Sequence, residues 1–212
     1  MRFNVGFIDD ESANVRTVQR KTSSTDIKIT PLNLKENIEE IIEQIIESKV
    51  QCILVDYKLN LTKPEIRFNG ADIVNELDKN IISFPSFILT GFEDDAENEL
   101  IDINKIYKKE DYFKKPEKLN RRIVKQIENY SERLRIAEEE LLSLKKKNSL
   151  SSKEEERLLE LDSFLEKSIN AKGSISKEIK RTSNIDRLDS LLDKTRRILE
   201  EVKKYDNEKS SN

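Results

Sequence analysis

Histidine is absent from the 212 residues, cysteine and methionine occur once each, and glycine and proline four times each. Without an imidazole the chain has no histidine base, no histidine metal ligand, and no histidine that could itself carry a phosphoryl group. The single cysteine, Cys52, lies in an apolar run and permits no intrachain disulfide, which predicts a buried thiol in a reducing cytoplasm. No stretch approaches the apolar length needed to span a bilayer, and the first segment reads as a strand rather than as a charged and then apolar targeting segment. Apolar residues are also scarce, at 35% against 38% charged, too few for uniform globular packing.

What apolar material there is lies unevenly. The dense hydrophobic runs precede residue 118, and beyond it Leu and Ile alternate with Lys, Arg and Glu in helical rhythm. Charge divides at the same place. Residues 1–117 hold 16 Lys plus Arg against 23 Asp plus Glu, a net −7, whereas residues 118–212 hold 23 against 19, a net +4. The basic residues of the second part are interspersed with acids instead of forming one stripe, which argues against nucleic acid as a partner. The expected organisation is a first domain over 1–117, a helical region over 118–206 and a disordered tail over 207–212.

Within the first domain, RFNVGFI, IKIT, QCILVD, FPSFILT and DYFKK read as five short strands bounded by turn signals. Between them ESANVRTVQRK, a stretch from Leu34 to Glu47, a segment built on Ile73, Val74 and Leu77, and Glu93 to Ile103 read as helices. Strand and helix in alternation predict a doubly wound α/β domain with a five-stranded parallel sheet. Beyond it, Leu119, Ile123, Ile127, Tyr130, Leu134, Ala137, Leu141 and Leu144 step by four and three residues, the seam of a coiled coil or helical hairpin. Ser151 with Glu154 forms a capping signal for a second helix carrying Leu158, Leu161, Leu165 and Ile169. A third helix is expected over Ile185, Leu188, Leu192, Ile198, Leu199, Val202 and Tyr205, after Gly173 interrupts the pattern. Such stripes need a partner, either one another or a second chain, so a homodimer through these helices is one expectation.

Five polar residues close the apolar runs of the first domain: Asp9 and Asp10 after VGFI, Asp56 after CILV, Thr90 after FIL, and Lys115 in DYFKKP. In a parallel sheet the carboxyl ends of the strands share one edge, where ligands bind. Three carboxylates converging there repel one another unless a hard divalent cation holds them, and an all-oxygen set suits magnesium. Taken singly, Asp9 and Asp10 could merely cap the following helix, Thr90 could be an ordinary strand-end hydroxyl, and Lys115 a solvated cation. Their joint occurrence, each at a strand end, favours a phosphate site.

This pattern resembles the receiver domain of two-component response regulators over about the first 117 residues. IDDES matches that family's acidic pair, LVDYKL its phosphoacceptor strand, LTG its switch hydroxyl, and DYFKKP its last strand with lysine before proline. The resemblance implies that Asp56 takes a phosphoryl group from a phosphohistidine on a histidine kinase or a histidine phosphotransfer protein, giving an aspartyl phosphate. It implies Mg2+ held by Asp10 and Asp56, by Asp9 through water, and by the backbone carbonyl of Lys58. It implies that Thr90 and Lys115 receive the phosphoryl oxygens and that Tyr112 turns inward as the switch aromatic. Two departures stand out. Leu59 and Asn60 replace the family's usual pair after the phosphoacceptor, and Leu61 to Phe68 reads as an inserted loop. Lys58 and Phe92 occupy the positions that flank attacking water during dephosphorylation, and neither is a water-orienting acid or amide, which predicts a long-lived phosphate.

The tail resembles no family. Chemistry beyond self-phosphorylation and self-dephosphorylation at Asp56 is not expected, because no second constellation of acid, base and nucleophile accompanies it. The expected output is switched protein–protein interaction through the tail. A phosphate sink or relay, as in a stress or phage-defence pathway, and a DNA-binding regulator are the alternatives.

Overall fold

A computed structural model of the chain describes residues 2–99, 102–147, 149–169 and 191–200. The chain divides into two compact units, Met1–Lys79 with Phe84–Ile127 and Asn80–Ser83 with Glu128–Asn212.

The first unit is a parallel sheet of five strands in the order β2-β1-β3-β4-β5. The strands are β1 (Phe3–Ile8), β2 (Ile27–Pro31), β3 (Cys52–Val55), β4 (Ser86–Thr90) and β5 (Ile106–Lys108). Every residue of β3 and β4 is buried, the mark of strands covered on both faces. The helices that accompany the sheet are α1 (Ser12–Thr22), α2 (Ile38–Glu47), α3 (Gly70–Asn80), α4 (Glu93–Glu99), α5 (Lys109–Lys114) and the start of α6 (Glu117–Lys145). The order is that of the flavodoxin-like doubly wound fold, so the α/β reading holds.

Local chemistry explains the element ends. α2 begins at Ile38 and not at Leu34, because the Asn37 side chain accepts the Glu40 amide at 3.1 Å and so caps the helix there. Its Ile41, Ile42 and Ile45 are all buried, as the helical spacing required. α4 is shorter than expected, ending at Glu99, and a 3-10 turn follows over Ile103–Lys105. Lys105 then reaches both Asp78 oxygens at 2.8 and 2.6 Å and Ser86 Oγ at 3.0 Å, tying the entry of β5 to α3 and β4. Cys52 is a buried free thiol, and burial pushes its pKa up.

The fifth strand corrects the sequence reading. DYFKK is not a strand; it lies in α5 and its end, and the strand is the preceding IYK. Tyr112 and Phe113 suit a strand in isolation, but the segment closes helical bonds instead, with the Lys115 amide donating to the Asp111 carbonyl at 2.8 Å. A Glu110–Lys114 ion pair one helical turn apart reinforces it. Pro116 ends no strand, for it sits between α5 and α6, where its carbonyl accepts the Asn120 amide at 3.0 Å.

α6 runs unbroken through 29 residues, and the division between the units falls inside it, after Ile127. All eight residues of the expected seam from Leu119 to Leu144 are buried. The second unit contains the rest of α6, α7 (Ser152–Ile169) and a helix over residues 191–200. Glu154 reaches back to the amide and hydroxyl of Ser151, both at 2.8 Å, closing the capping motif at the start of α7. On α7 Leu159, Leu161 and Leu165 are buried, so the stripe runs through Leu159 rather than Leu158. Tyr130 donates its hydroxyl to the Ser168 carbonyl at 2.7 Å, and the Ile82 amide donates to the Lys167 carbonyl at 2.9 Å. Leu191, Leu192 and Leu199 are buried in the last described helix. The expected positions Ile185, Leu188, Val202 and Tyr205, and the tail over 207–212, lie outside the described residues. Among the described residues no helix is long and apolar enough to cross a membrane.

Candidate functional site

Four neighbouring strands deliver the site. β1 ends just before Asp9 and Asp10, β3 just before Asp56, β4 in Thr90, and β5 just before Lys109. Because the strands are parallel and adjacent, all these residues emerge at one edge of the sheet.

Carboxylate oxygens of Asp9, Asp10 and Asp56 lie within 4.8 Å of one another. Asp56 is buried, with 3% of its surface exposed. Lys109 Nζ stands 2.7 Å from Asp56 Oδ2 and 3.0 Å from Asp9 Oδ2, bridging the two. Asp9 Oδ1 accepts the Glu11 amide at 2.8 Å and the Asn14 side-chain amide at 3.1 Å. Asp9 therefore does both things open to it in the sequence, steadying the entry to α1 and belonging to the cluster. Asp10 Oδ2 accepts the Thr62 amide at 2.6 Å. Two oxygens remain: Asp10 Oδ1 and Asp56 Oδ1 are buried with no hydrogen-bond partner.

Electrostatics follow from this geometry. Burial pushes the Asp56 carboxyl up to about 6; Lys109 opposes that shift and the Asp9 charge adds to it. For Lys109, burial would lower the ammonium's pKa, but Asp56 and Asp9 outweigh it and hold the group above its usual value. One ammonium against three carboxylates leaves negative charge uncompensated. The two orphaned oxygens and the all-oxygen donor set therefore fit a hard divalent cation such as Mg2+.

Thr90 is fully buried at the end of β4, where its Oγ1 accepts the Phe92 amide at 3.0 Å. Register places it opposite Lys108, one residue before the bridging lysine. Lys58 lies on the rim two residues past Asp56, its ammonium 5.5 Å from the Tyr57 ring centre, 5.1 Å from that of Phe92 and 3.5 Å from Asp95. Gly70 closes the floor. A Cβ there would lie 2.1 Å from the Asp56 carbonyl oxygen, so this position must lack a side chain for α3 to approach β3.

Two assigned residues lie elsewhere. Lys115 is at the C-terminal cap of α5, and the lysine on the acids is Lys109. Tyr112 is in α5, buried, its hydroxyl donating to Asn120 Oδ1 at 3.2 Å. The aromatic residue of β5 is Tyr107, edge-on to Phe87 at 5.7 Å and stacked by Arg122 at 5.4 Å. The signal for Lys109 was present in the short apolar pair of IYKKE, and the longer aromatic DYFKKP with its proline outweighed it.

No family model matches the chain, and the search of curated proteins also finds no match. Among solved structures the chain is similar to the RcsB response regulator of Salmonella typhimurium, at 15% identity and a TM-score of 0.46, covering 93% of this chain and 92% of that one. Conformational dynamism for DNA interaction is a property of RcsB.

Proposed function

We propose that the chain is a two-component response regulator whose Asp56 is phosphorylated in a Mg2+-dependent reaction by a histidine kinase or a histidine phosphotransfer protein. The observation that carries this reading is the state of the Asp56 carboxylate, buried at the sheet edge with Oδ2 on Lys109 and Oδ1 without a partner. Oδ1 of Asp56 and Oδ1 of Asp10 would hold the cation, with Asp9 beside them. When bound, the cation would neutralise charge on the transferred oxygens.

In the transfer Asp56 Oδ2 forms a bond to phosphorus while the P–N bond to the partner's imidazole breaks. The electron pair returns to the imidazole nitrogen, which takes up a proton. Lys109, already on Oδ2, then pairs with a phosphoryl oxygen, and Thr90 turns its hydroxyl from the Phe92 amide to another. Lys109 takes the part that the resemblance assigned to Lys115. The nucleophile must be ionised, so at Mg2+ concentrations that load only part of the protein, transfer rises with pH through about 6.

Output runs through the helical residues beyond the sheet, by altered protein–protein contact. Lys58 and Phe92 offer attacking water no base, so the aspartyl phosphate is long-lived. The test is acetyl phosphate or beryllofluoride with MgCl2 on wild type and Asp56→Asn. One added phosphoryl mass on wild type alone supports the site, and a shift on gel filtration supports the output. Labelling of Asp56→Asn would overturn the site assignment.

A further inference from the structure

In the loop that runs from Asp56 to α3, Thr62 reaches across to Asp10 of the acid cluster. Its main-chain N–H donates to Asp10 Oδ2 at 2.6 Å, and its hydroxyl donates to the main-chain carbonyl of Asp10 at 2.8 Å. These partners are 52 positions apart in sequence. We propose that Thr62 is a positioning residue for the cation site, setting the Asp10 carboxylate before any metal arrives; this rests on the phosphoacceptor reading above.

A free aspartate rotates about two side-chain bonds, so its oxygens would have to be ordered when the metal binds. Here one oxygen is taken and the residue's own backbone is gripped by the same threonine. The side chain's plane is thereby held, and Oδ1 is left as the oxygen with no partner, buried beside Asp9 and Asp56. Outer partners of this kind orient ligands and raise metal affinity without touching the ion. The inserted loop thus has work to do at the site: it brings in a donor pair that neither β1 nor β3 supplies. Leu61, next to Thr62, is 57% exposed, so apolar packing of that neighbour is not what holds the loop in place.

Calorimetric titration of the full chain with MgCl2 separates this role from simple loop anchoring. Thr62→Val removes the hydroxyl bond and is expected to weaken Mg2+ binding about threefold. Thr62→Pro removes both donors, the hydroxyl and the amide on the carboxylate, and is expected to weaken it about tenfold. Thr62→Ser keeps both donors and restores affinity to within about twofold of wild type. A merely structural role would lower the thermal midpoint and leave Mg2+ affinity of the folded variants unchanged, and that result overturns the proposal. Should Thr62→Pro fail to fold, the Val and Ser variants decide in the same way. Wild type that takes up no Mg2+ would instead remove the phosphoacceptor reading beneath it, a result distinct from equal affinity in wild type and variants.

Discussion

Both units bury polar side chains, and they differ in whether carboxylates converge: among the described residues only the sheet unit gathers three of them, Asp9, Asp10 and Asp56, in one place. In the helical unit Thr195 donates to the Leu191 carbonyl at 2.9 Å, Ser168 to the Phe164 carbonyl at 2.8 Å, and Glu138 accepts Arg196 at 2.9 Å. In the sheet unit Asp10 and Asp56 each keep a buried oxygen with no partner, at the edge where the strands end. A satisfied buried polar group is architecture. A buried carboxylate oxygen without a partner is costly to keep, and three converging acids with one lysine support the cation and phosphoryl site proposed above.

The sharpest way to break that contrast is to remove the bridging lysine. Lys109→Ala is expected to slow Asp56 phosphorylation by acetyl phosphate about 100-fold, the scale of losing one preorganised charge-stabilising donor. Lys115→Ala, at the end of α5, is expected to leave the rate within about twofold, since that side chain is no part of the cluster. Rates by intact mass against time settle it. Equal losses, or the larger loss at Lys115, would return the role to the lysine beside Pro116.

Packing offers the next comparison. Leu141→Ala opens a cavity at a fully buried seam position of the helical unit and should cost about 2–5 kcal/mol of stability. Gly70→Ala puts a methyl group 2.1 Å from the Asp56 carbonyl, and relieving that clash should cost about 2–3 kcal/mol while also disturbing Mg2+ uptake. Gly91→Ala meets nothing within 4 Å and should stay within about 0.5 kcal/mol. Urea unfolding with and without MgCl2 distinguishes the two kinds of loss. The Leu141 variant should respond to the metal as wild type does, and the Gly70 variant less.

Stability against pH sharpens the contrast further. The Asp56 pKa is raised on folding from 3.8 to about 6, so its contribution to stability is fully present below about 4 and is lost as pH rises through about 6. Above that the folded protein carries a buried charge that the unfolded chain carries freely. Asp56→Asn should therefore stabilise the metal-free protein by about 1–2 kcal/mol at pH 7.5, with the gain fading toward pH 4. Thermal melts in chelator across that range test it, and a destabilised variant at pH 7.5 would mean that the Lys109 bridge outweighs the burial.

Periodicity made most of this visible in the sequence. Strands with two buried faces read as unbroken apolar runs, as in CILV and FIL, and the polar residues that follow such runs must share an edge. The eight-residue seam of α6 was equally plain, because a 3.6-residue period allows no other face to be buried. The fifth strand was hidden by its length. With three residues, IYK has too little alternation to outweigh an aromatic stretch that ends in proline, and its pairing with β4 and the reach of Lys109 to two distant acids are visible only in space. Thr62 left no trace either, since a backbone amide donor has no residue type to recognise and a lone loop hydroxyl is too common to single out.

The smallest effect belongs to the charged surface of the helical unit. Arg157 is bidentate on Glu140, with Nε to Oε1 at 2.8 Å and Nη2 to Oε2 at 2.7 Å, and this ion pair holds the Glu140 carboxyl below its usual range. Its geometry is as good as that of the Lys109 bridge, but its surroundings are not, for the two side chains are 49% and 37% exposed. Water and salt already stabilise both charges when they part, so the pair contributes about 1 kcal/mol at most. Arg157→Ala should lower stability by no more than that in dilute buffer and by nothing measurable in 1 M salt, where screening acts within about 3 Å. A larger or salt-independent loss would show that the aliphatic stem of Arg157, which lines one groove with Leu161 and Phe164, stabilises the helix pair through apolar contact. The same salt should leave the consequences of Lys109→Ala almost unchanged, because a charge buried among acids is screened far less than one facing solvent.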